Sequence, residues 1–262
     1  PEMDKKGSNS AAIHSNKTTT GESFLLINAH QPNTGPQAFY EAHLSSEEGV
    51  NVMGGLLAGG PCILHGVNEN LGWAHTVNYC DRLDEFQLEM NPGNPLQYKF
   101  DGQWLDLEVK TIKLKIKGIP FRVKRKLYWS KYGATMKNEQ GFFSMRLGAN
   151  MKIGVLDQWY QMNKAANFTE FYAALNRQEL SMFNIMYADK YDTVFYINNA
   201  LIPVRDGING YTWKKTVPGN TSKTLWTQFR YLKDLPQYIN PSSGFLFNTN
   251  HSPFLATEAK YN

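Results

Sequence analysis

The chain has 262 residues, with 27 Lys and Arg against 23 Asp and Glu for a net charge of +4, and carries 15 Phe, 14 Tyr and 6 Trp. A chain of that length and aromatic content buries a sizeable core, as one large domain or two small ones, which excludes intrinsic disorder. The small, spread positive charge gives no argument for nucleic acid, and no apolar run approaches the roughly 18–20 residues of a membrane span.

The opening PEMDKKG reads as the tail of a linker, with any export signal expected upstream. From residue 9 to residue 130 the text is short strands and turns: Ser23–Asn28, Phe39–Leu44, Cys62–Gly66, Gly72–Val77 and Glu85–Met90 are apolar or alternating and bounded by Gly, Pro or Asn. The glycine-rich stretch 54–60 lacks a following Lys-Ser/Thr, so it predicts tight turns around a strand and no phosphate cradle. Ile112, Leu114 and Ile116 then interleave with Lys113, Lys115 and Lys117. Gly118 turns the chain into a second basic run, Arg122 to Lys126, predicting a hairpin with one solvated basic face. Docking of an anion on that face is the less favoured alternative.

Helical spacing follows. Leu156, Trp159 and Tyr160 suggest one helix, and Phe168, Phe171, Tyr172 and Leu175 share one face of a second. That second helix has Asn167 at the N-cap and Glu170 completing a capping-box pair. Strands resume at Asn184–Ala188 and Thr193–Asn198, with a last short apolar run at Gly244–Phe247. Strands, then helices, then strands predict a layered α+β fold. Cys62 and Cys80 match no zinc pattern and read as buried free thiols, and the six His lack ligand spacing.

GxSxG, HExxH, Walker and GxGxxG patterns are all absent. What remains is Gly7-Ser8-Asn9-Ser10 ahead of a strand, with His30 22 residues after Ser8. Alone, Gly-Ser-Asn means a turn. The run GSNSAAIHSNKTTTGESFLLINAHQP, however, resembles the start of the β subunit in the penicillin acylase family of Ntn hydrolases. The resemblance continues through Leu71 to Val77, Asp84-Glu85-Phe86, Gln158-Trp159-Tyr160, Asn184 to Asp189 and Asn248-Thr249-Asn250. It is strongest to the acyl-homoserine-lactone acylases and glutaryl-type cephalosporin acylases, which have His where penicillin G acylases have Gln; His30 holds that position.

The resemblance implies an αββα sandwich: residues 1–7 as linker or propeptide tail, and 8–262 as the N-terminal part of a β subunit whose partner is an α subunit from the same precursor. It implies autocleavage at Gly7-Ser8, a Ser8 nucleophile, and the freed α-amine as base. An α-amine titrates near 7.7–8.0, within reach of neutral pH, whereas a lysine near 10.4 needs much stronger perturbation. Oxyanion donors would be the Val77 N–H and the Asn250 side chain, with the His30 N–H as a third. Gln31, Met182 and Phe183 are implied to line the acyl pocket. Asp81, the Leu83 carbonyl and Asp84 resemble a structural calcium site, and no other cofactor is expected. The first substrate choice is an N-acyl homoserine lactone, with quorum quenching as the role. A β-lactam side-chain amide or a lipopeptide comes next, and a non-catalytic binding or structural domain is the rival. Periplasmic or secreted location follows by resemblance, with no nucleic-acid or membrane partner.

Overall fold

Strand text of two kinds, alternating and wholly apolar, produces two kinds of sheet. The structure, a computed structural model, describes residues 7–205 and 210–257; residues 1–6 of the predicted linker lie outside them. The chain gives β1 (Ser8–Ile13), β2 (Phe24–Ala29), β3 (Phe39–Ser46), β4 (Val50–Leu57), β5 (His65–Asn68) and β6 (Leu71–Thr76). Then come β7 (Leu83–Gln87), β8 (Met90–Asn91), β9 (Asn94–Phe100), β10 (Gln103–Asp106), β11 (Glu108–Lys115), β12 (Arg122–Ser130), β13 (Gly133–Asn138) and β14 (Gly141–Leu147). Helices α1 (Val155–Lys164) and α2 (Phe168–Leu175) precede β15 (Asn184–Asp189), β16 (Val194–Asn198), β17 (Val217–Pro218), β18 (Gln237–Ile239) and β19 (Phe245–Asn248).

Two units share these elements. The first, residues 1–80, 152–201 and 230–262, holds a seven-stranded antiparallel sheet in the order β18-β16-β15-β6-β5-β4-β3. Every residue of β6, β15 and β16 is buried, because this sheet is covered on both faces. On one face Phe171 of α2 packs against Trp73 and Tyr187, and Phe168 against Phe195. On the other, the three-stranded sheet β19-β1-β2 brings Ala12 and Leu246 onto Ala74, Met186, Ala188 and Val194. Tyr187 and Met186 therefore serve opposite faces, as the period of two requires. The outer face of the three-stranded sheet exposes Phe24, Leu26 and Phe247, so αββ are the layers visible among the described residues.

Local chemistry sets the element ends. The Asn167 side chain accepts from the Glu170 N–H at 3.0 Å, and Glu170 reaches back to the Ala166 N–H at 2.9 Å, so the predicted cap starts α2. Helix α1 forms on the predicted residues but buries polar ones: Gln158 receives the Glu179 and Leu180 N–H groups, and Asn163 brackets both the N–H and the carbonyl of Ile63. Of the stretch 54–60, expected as tight turns around a strand, residues 54–57 belong to β4 itself and the turn follows at 58–59. Gly54 is needed there because a Cβ would lie 2.2 Å from the His65 carbonyl oxygen across the ladder. The strand expected at Cys62–Gly66 begins only at His65, since Leu64 turns back onto the Gly55 carbonyl.

The second unit, residues 81–151 and 202–229, holds the sheet β11-β12-β13-β14-β7-β17 and the small sheet β10-β9-β8. Its core stacks Phe86 on Tyr132 at 4.4 Å, with Tyr98, Phe100 and Trp226 around them. The predicted basic hairpin is β11 and β12, in register from Glu108 opposite Trp129 to Lys115 opposite Arg122. The two cysteines form no disulfide: Cys62 is buried and donates to the Leu156 carbonyl, whereas Cys80, expected buried, is half-buried and donates to Asn198. No helix among the described residues is long and apolar enough to cross a membrane.

Candidate active site

Pairing of β1 with both β2 and β19 carries Ser8 to a strand end beside Ala29 and places Ser10 opposite Asn248. Ser8 is buried and still joined to Gly7. Its Oγ donates to the Gly7 carbonyl oxygen at 2.7 Å, and its N–H donates to Asn250 Oδ1 at 2.7 Å. Asn250 also donates from Nδ2 to the Val77 carbonyl at 2.8 Å. One amide thus ties the serine nitrogen, 242 residues away in sequence, to the end of β6, and its second N–H remains a donor. The His30 ring is exposed and sits 3.0 Å from Asn9 Nδ2. A Cβ on Gly7 would meet Asn250 Oδ1 at 2.7 Å and His30 Nδ1 at 3.6 Å. Ser8, His30, Val77 and Asn250, spread over the sequence, therefore converge around the Gly7–Ser8 peptide.

Beneath them lies a buried polar network that sequence reading did not assemble. Asn250 adopts φ +68°, a conformation Asn tolerates better than most residues, and its N–H donates to Asn248 Oδ1 at 3.0 Å. The same oxygen receives Thr76 Oγ1 and Asn184 Nδ2, and Asn184 also donates to the Val77 carbonyl at 3.1 Å. Asn184 Oδ1 in turn accepts from Tyr196 and Asn198, both at 2.7 Å. Thr76, Asn184 and Asn248 lie in the stretches that carry the resemblance but have no role assigned from it, and Tyr196 and Asn198 lie outside them. The available signal was polar side chains inside otherwise apolar strands, which stay buried only when fully hydrogen-bonded.

Of the implied pocket residues, Gln31 follows His30 and is exposed, and Met182 is partly exposed. Phe183 stacks on His75 at 5.2 Å with φ +93°, an unusual backbone state for an aromatic residue, immediately before Asn184. His75 accepts from Trp159 Nε1 at 3.0 Å and stacks near His65. Burial pushes His65 down to about 4, and burial with the neighbouring His65 pushes His75 down to about 3. Both are neutral near pH 7. A cavity of about 610 Å³ lined by Leu25, Asn68, Gly72 and Asp189 is not this site: it lies at the Leu71–Asp189 ends of β6 and β15, and the Ser8 cluster lies at their Thr76–Asn184 ends.

The predicted calcium residues meet an organic cation instead. Arg205 donates from Nε to Asp84 at 2.7 Å and from Nη2 to Asp81 at 3.0 Å, and Trp226 donates to Asp84 at 2.6 Å. Asp84 Oδ1 is buried without a partner among the described residues, the one feature a hard cation would use. That oxygen and a Leu83 carbonyl fall well short of the six to eight oxygens calcium takes. Among the described residues no three His, Cys, Asp or Glu side chains group as a metal site. Asp81, Leu83 and Asp84 do not fit calcium here. The Asp84 carboxyl stays above its usual range because burial outweighs Arg205.

A buried serine thus addresses its own preceding carbonyl, braced by an asparagine amide, at one end of a stack of two sheets. The penicillin amidase family model matches residues 1–262, and the chain belongs to that family. An acyl-homoserine lactone acylase PvdQ of Pseudomonas fluorescens is 32% identical over 209 residues, covering 76% of this chain and 27% of that one. The aculeacin-A acylase of Actinoplanes utahensis is 27% identical over 208 residues, covering 75% and 26%. The chain thus spans about a quarter of the length of these curated relatives. The structure of a thermostable penicillin G acylase from Alcaligenes faecalis matches the fold with a TM-score of 0.80 at 24% identity, over 94% of this chain and 44% of that one.

Proposed function

We propose that the protein is an N-terminal-serine amide hydrolase that removes the acyl chain from an N-acylated small molecule, first an N-acyl homoserine lactone. The observation that carries this reading is Ser8 itself, with Oγ on the Gly7 carbonyl oxygen and N–H on Asn250. Processing starts when Oγ adds to the Gly7 carbonyl carbon and passes its proton to the Ser8 nitrogen as the C–N bond breaks. Water then hydrolyses the resulting ester, leaving a Gly7 carboxylate and a Ser8 α-amine. Asn250 Oδ1, already the acceptor for that nitrogen, holds the amine beside Oγ. In the catalytic cycle the amine takes the Oγ proton during attack on the substrate amide and returns it to the leaving amine. Water releases the acyl group from Ser8. The free N–H of Asn250 Nδ2 and the Val77 N–H stabilise the oxyanion.

Relatives 29–32% identical that are named acyl-homoserine lactone acylases support the first substrate choice, and Met182 and Phe183 suit an apolar acyl chain. A β-lactam side-chain amide or a lipopeptide is the second substrate choice, and the penicillin amidase family match and the aculeacin-A acylase relative support an acylase of wider substrate range. An α subunit released from the same precursor is the proposed partner and the periplasm the proposed location. Calcium is left out, because Arg205 already neutralises the carboxylates it would use. Intact mass and stopped-flow acyl release test the reading together. A species beginning at Ser8, a burst of acyl release from an N-acyl homoserine lactone, and loss of both in Ser8→Ala are expected. A processed protein with no burst on any N-acyl substrate would leave the non-catalytic rival standing.

A further inference from the structure

The positive charge of this chain is not spread, as its total suggests, but concentrated. Eight Lys and Arg residues lie between Lys110 and Lys126, and Glu108 is the sole acidic residue of the β11–β12 segment, so the rest of the chain is acidic on balance. The register sets Lys113 directly opposite Lys124 and Lys115 opposite Arg122, and Lys126, opposite Thr111, shares their face. Like charges facing each other across a ladder work against the hairpin. Among the described residues none of these five has a carboxylate within 4.0 Å. The other face sets Ile112, Leu114, Val123 and Leu127 beside Lys110 and Arg125, and the turn is apolar apart from Lys117: Leu114 and Ile116 are 41% and 43% exposed, and Phe121 is 68% exposed beside Pro120. The turn is held by the Ile119 N–H on the Ile116 carbonyl and by Gly118 at φ +87°.

We propose that the β11–β12 hairpin docks on an anionic lipid bilayer, with the turn from Ile116 to Phe121 entering the headgroup boundary and the basic face lying on the phosphates. A soluble polyanion would relieve the facing lysines but leave Phe121 and Ile116 in water. A lipid surface accepts both, because Lys and Arg stems lie along apolar surface while their charges reach headgroups. The absence of a spanning segment does not bear on a hairpin that lies at the surface, so the expectation of no membrane partner gives way here.

Co-sedimentation of the purified protein, as its gene produces it, with vesicles of phosphatidylcholine alone or mixed with phosphatidylglycerol tests the proposal. Binding is expected on the mixed vesicles only, and to fall with NaCl. Each basic charge near such a surface is worth about five-fold in partitioning, so Lys124→Glu, a change of two charges, should weaken binding about 25-fold. The same substitution faces Lys113 with a carboxylate, so its Tm should hold or rise, separating docking from folding. Phe121→Ser should cost about ten-fold in binding with the fold intact, since the ring is exposed. Equal binding to both vesicle types, binding to inorganic polyphosphate but not to vesicles, or unchanged binding by either variant would overturn the proposal.

Discussion

Replacing Asn250 separates what its side chain does from what its backbone does. The side chain makes two hydrogen bonds, to the Ser8 N–H and to the Val77 carbonyl. At about 0.5–1.5 kcal/mol each, their loss costs roughly 1–3 kcal/mol of stability. At a φ of +68° Asn and Ala both carry a Cβ close to the carbonyl oxygen, a cost of about 1–2 kcal/mol. Asn250→Gly avoids that second cost, so Gly should unfold later than Ala although both lack the amide. In the proposed chemistry the lost donor removes about 2.7–4 kcal/mol of transition-state stabilisation, so both variants should lose about two to three decades in rate. Asn250→Asp keeps an acceptor for the serine nitrogen but sets an oxygen against the Val77 carbonyl, and should lose a similar amount. Intact-mass time courses follow cleavage at Ser8, and stopped-flow acyl release follows turnover of whatever is cleaved. Processing and turnover in Asn250→Gly within about three-fold of wild type would refute the role drawn from the geometry.

Gly7→Val should slow processing, because its Cβ would lie 2.7 Å from the Asn250 oxygen that seats the serine nitrogen. Molecules that do mature should turn over normally, since residue 7 leaves with the released piece; a Gly7→Val protein processed at the wild-type rate would count against this contact. His65 and His75, held down to about 4 and about 3, take up protons on unfolding once the pH falls below about 6.5. Their stabilisation is complete above that value and is lost as pH falls toward 4, about 4 kcal/mol together by pH 5. Thermal melts from pH 7.5 to 4.5 should show the fall, and His65→Gln should remove about half of it; a Tm unchanged between pH 7 and 5 would contradict the assignment. Arg205→Met should cost about 3–5 kcal/mol in a denaturant melt by stranding the buried Asp84 carboxylate. A chelator should leave the wild-type melt unchanged, and a chelator-induced drop would restore calcium to this loop.

The sequence made local decisions legible and global ones only through resemblance. The capping box at Asn167, the hairpin about Gly118 and the strands at Asn184 and Thr193 follow from spacing over a few residues. Helix α1 was placed correctly, but its inward residues were misjudged: Gln158 and Asn163 turn inward to close backbone groups, while Leu156 stays largely exposed. Periodicity counts apolar residues and is blind to a polar side chain that finds its partner 100 positions away. The same blindness hid the seat of Ser8. Nothing near residue 8 announces residues 76, 184, 196 and 248, which meet only once β6, β15, β16 and β19 are stacked. The partner of the acidic loop was hidden for a related reason, since Arg205 lies 121 residues from Asp84.

The network under Ser8 is built from amides and hydroxyls, with the Tyr196 hydroxyl pushed up by burial and so kept protonated. Its members carry no net charge, so dissolved ions have little to screen. The geometry around the serine should therefore be nearly indifferent to ionic strength, whereas the grip of the lysine-rich hairpin on a lipid surface should loosen steeply with salt. Raising the salt would detach the molecule from a membrane while leaving the seat of its serine unaltered.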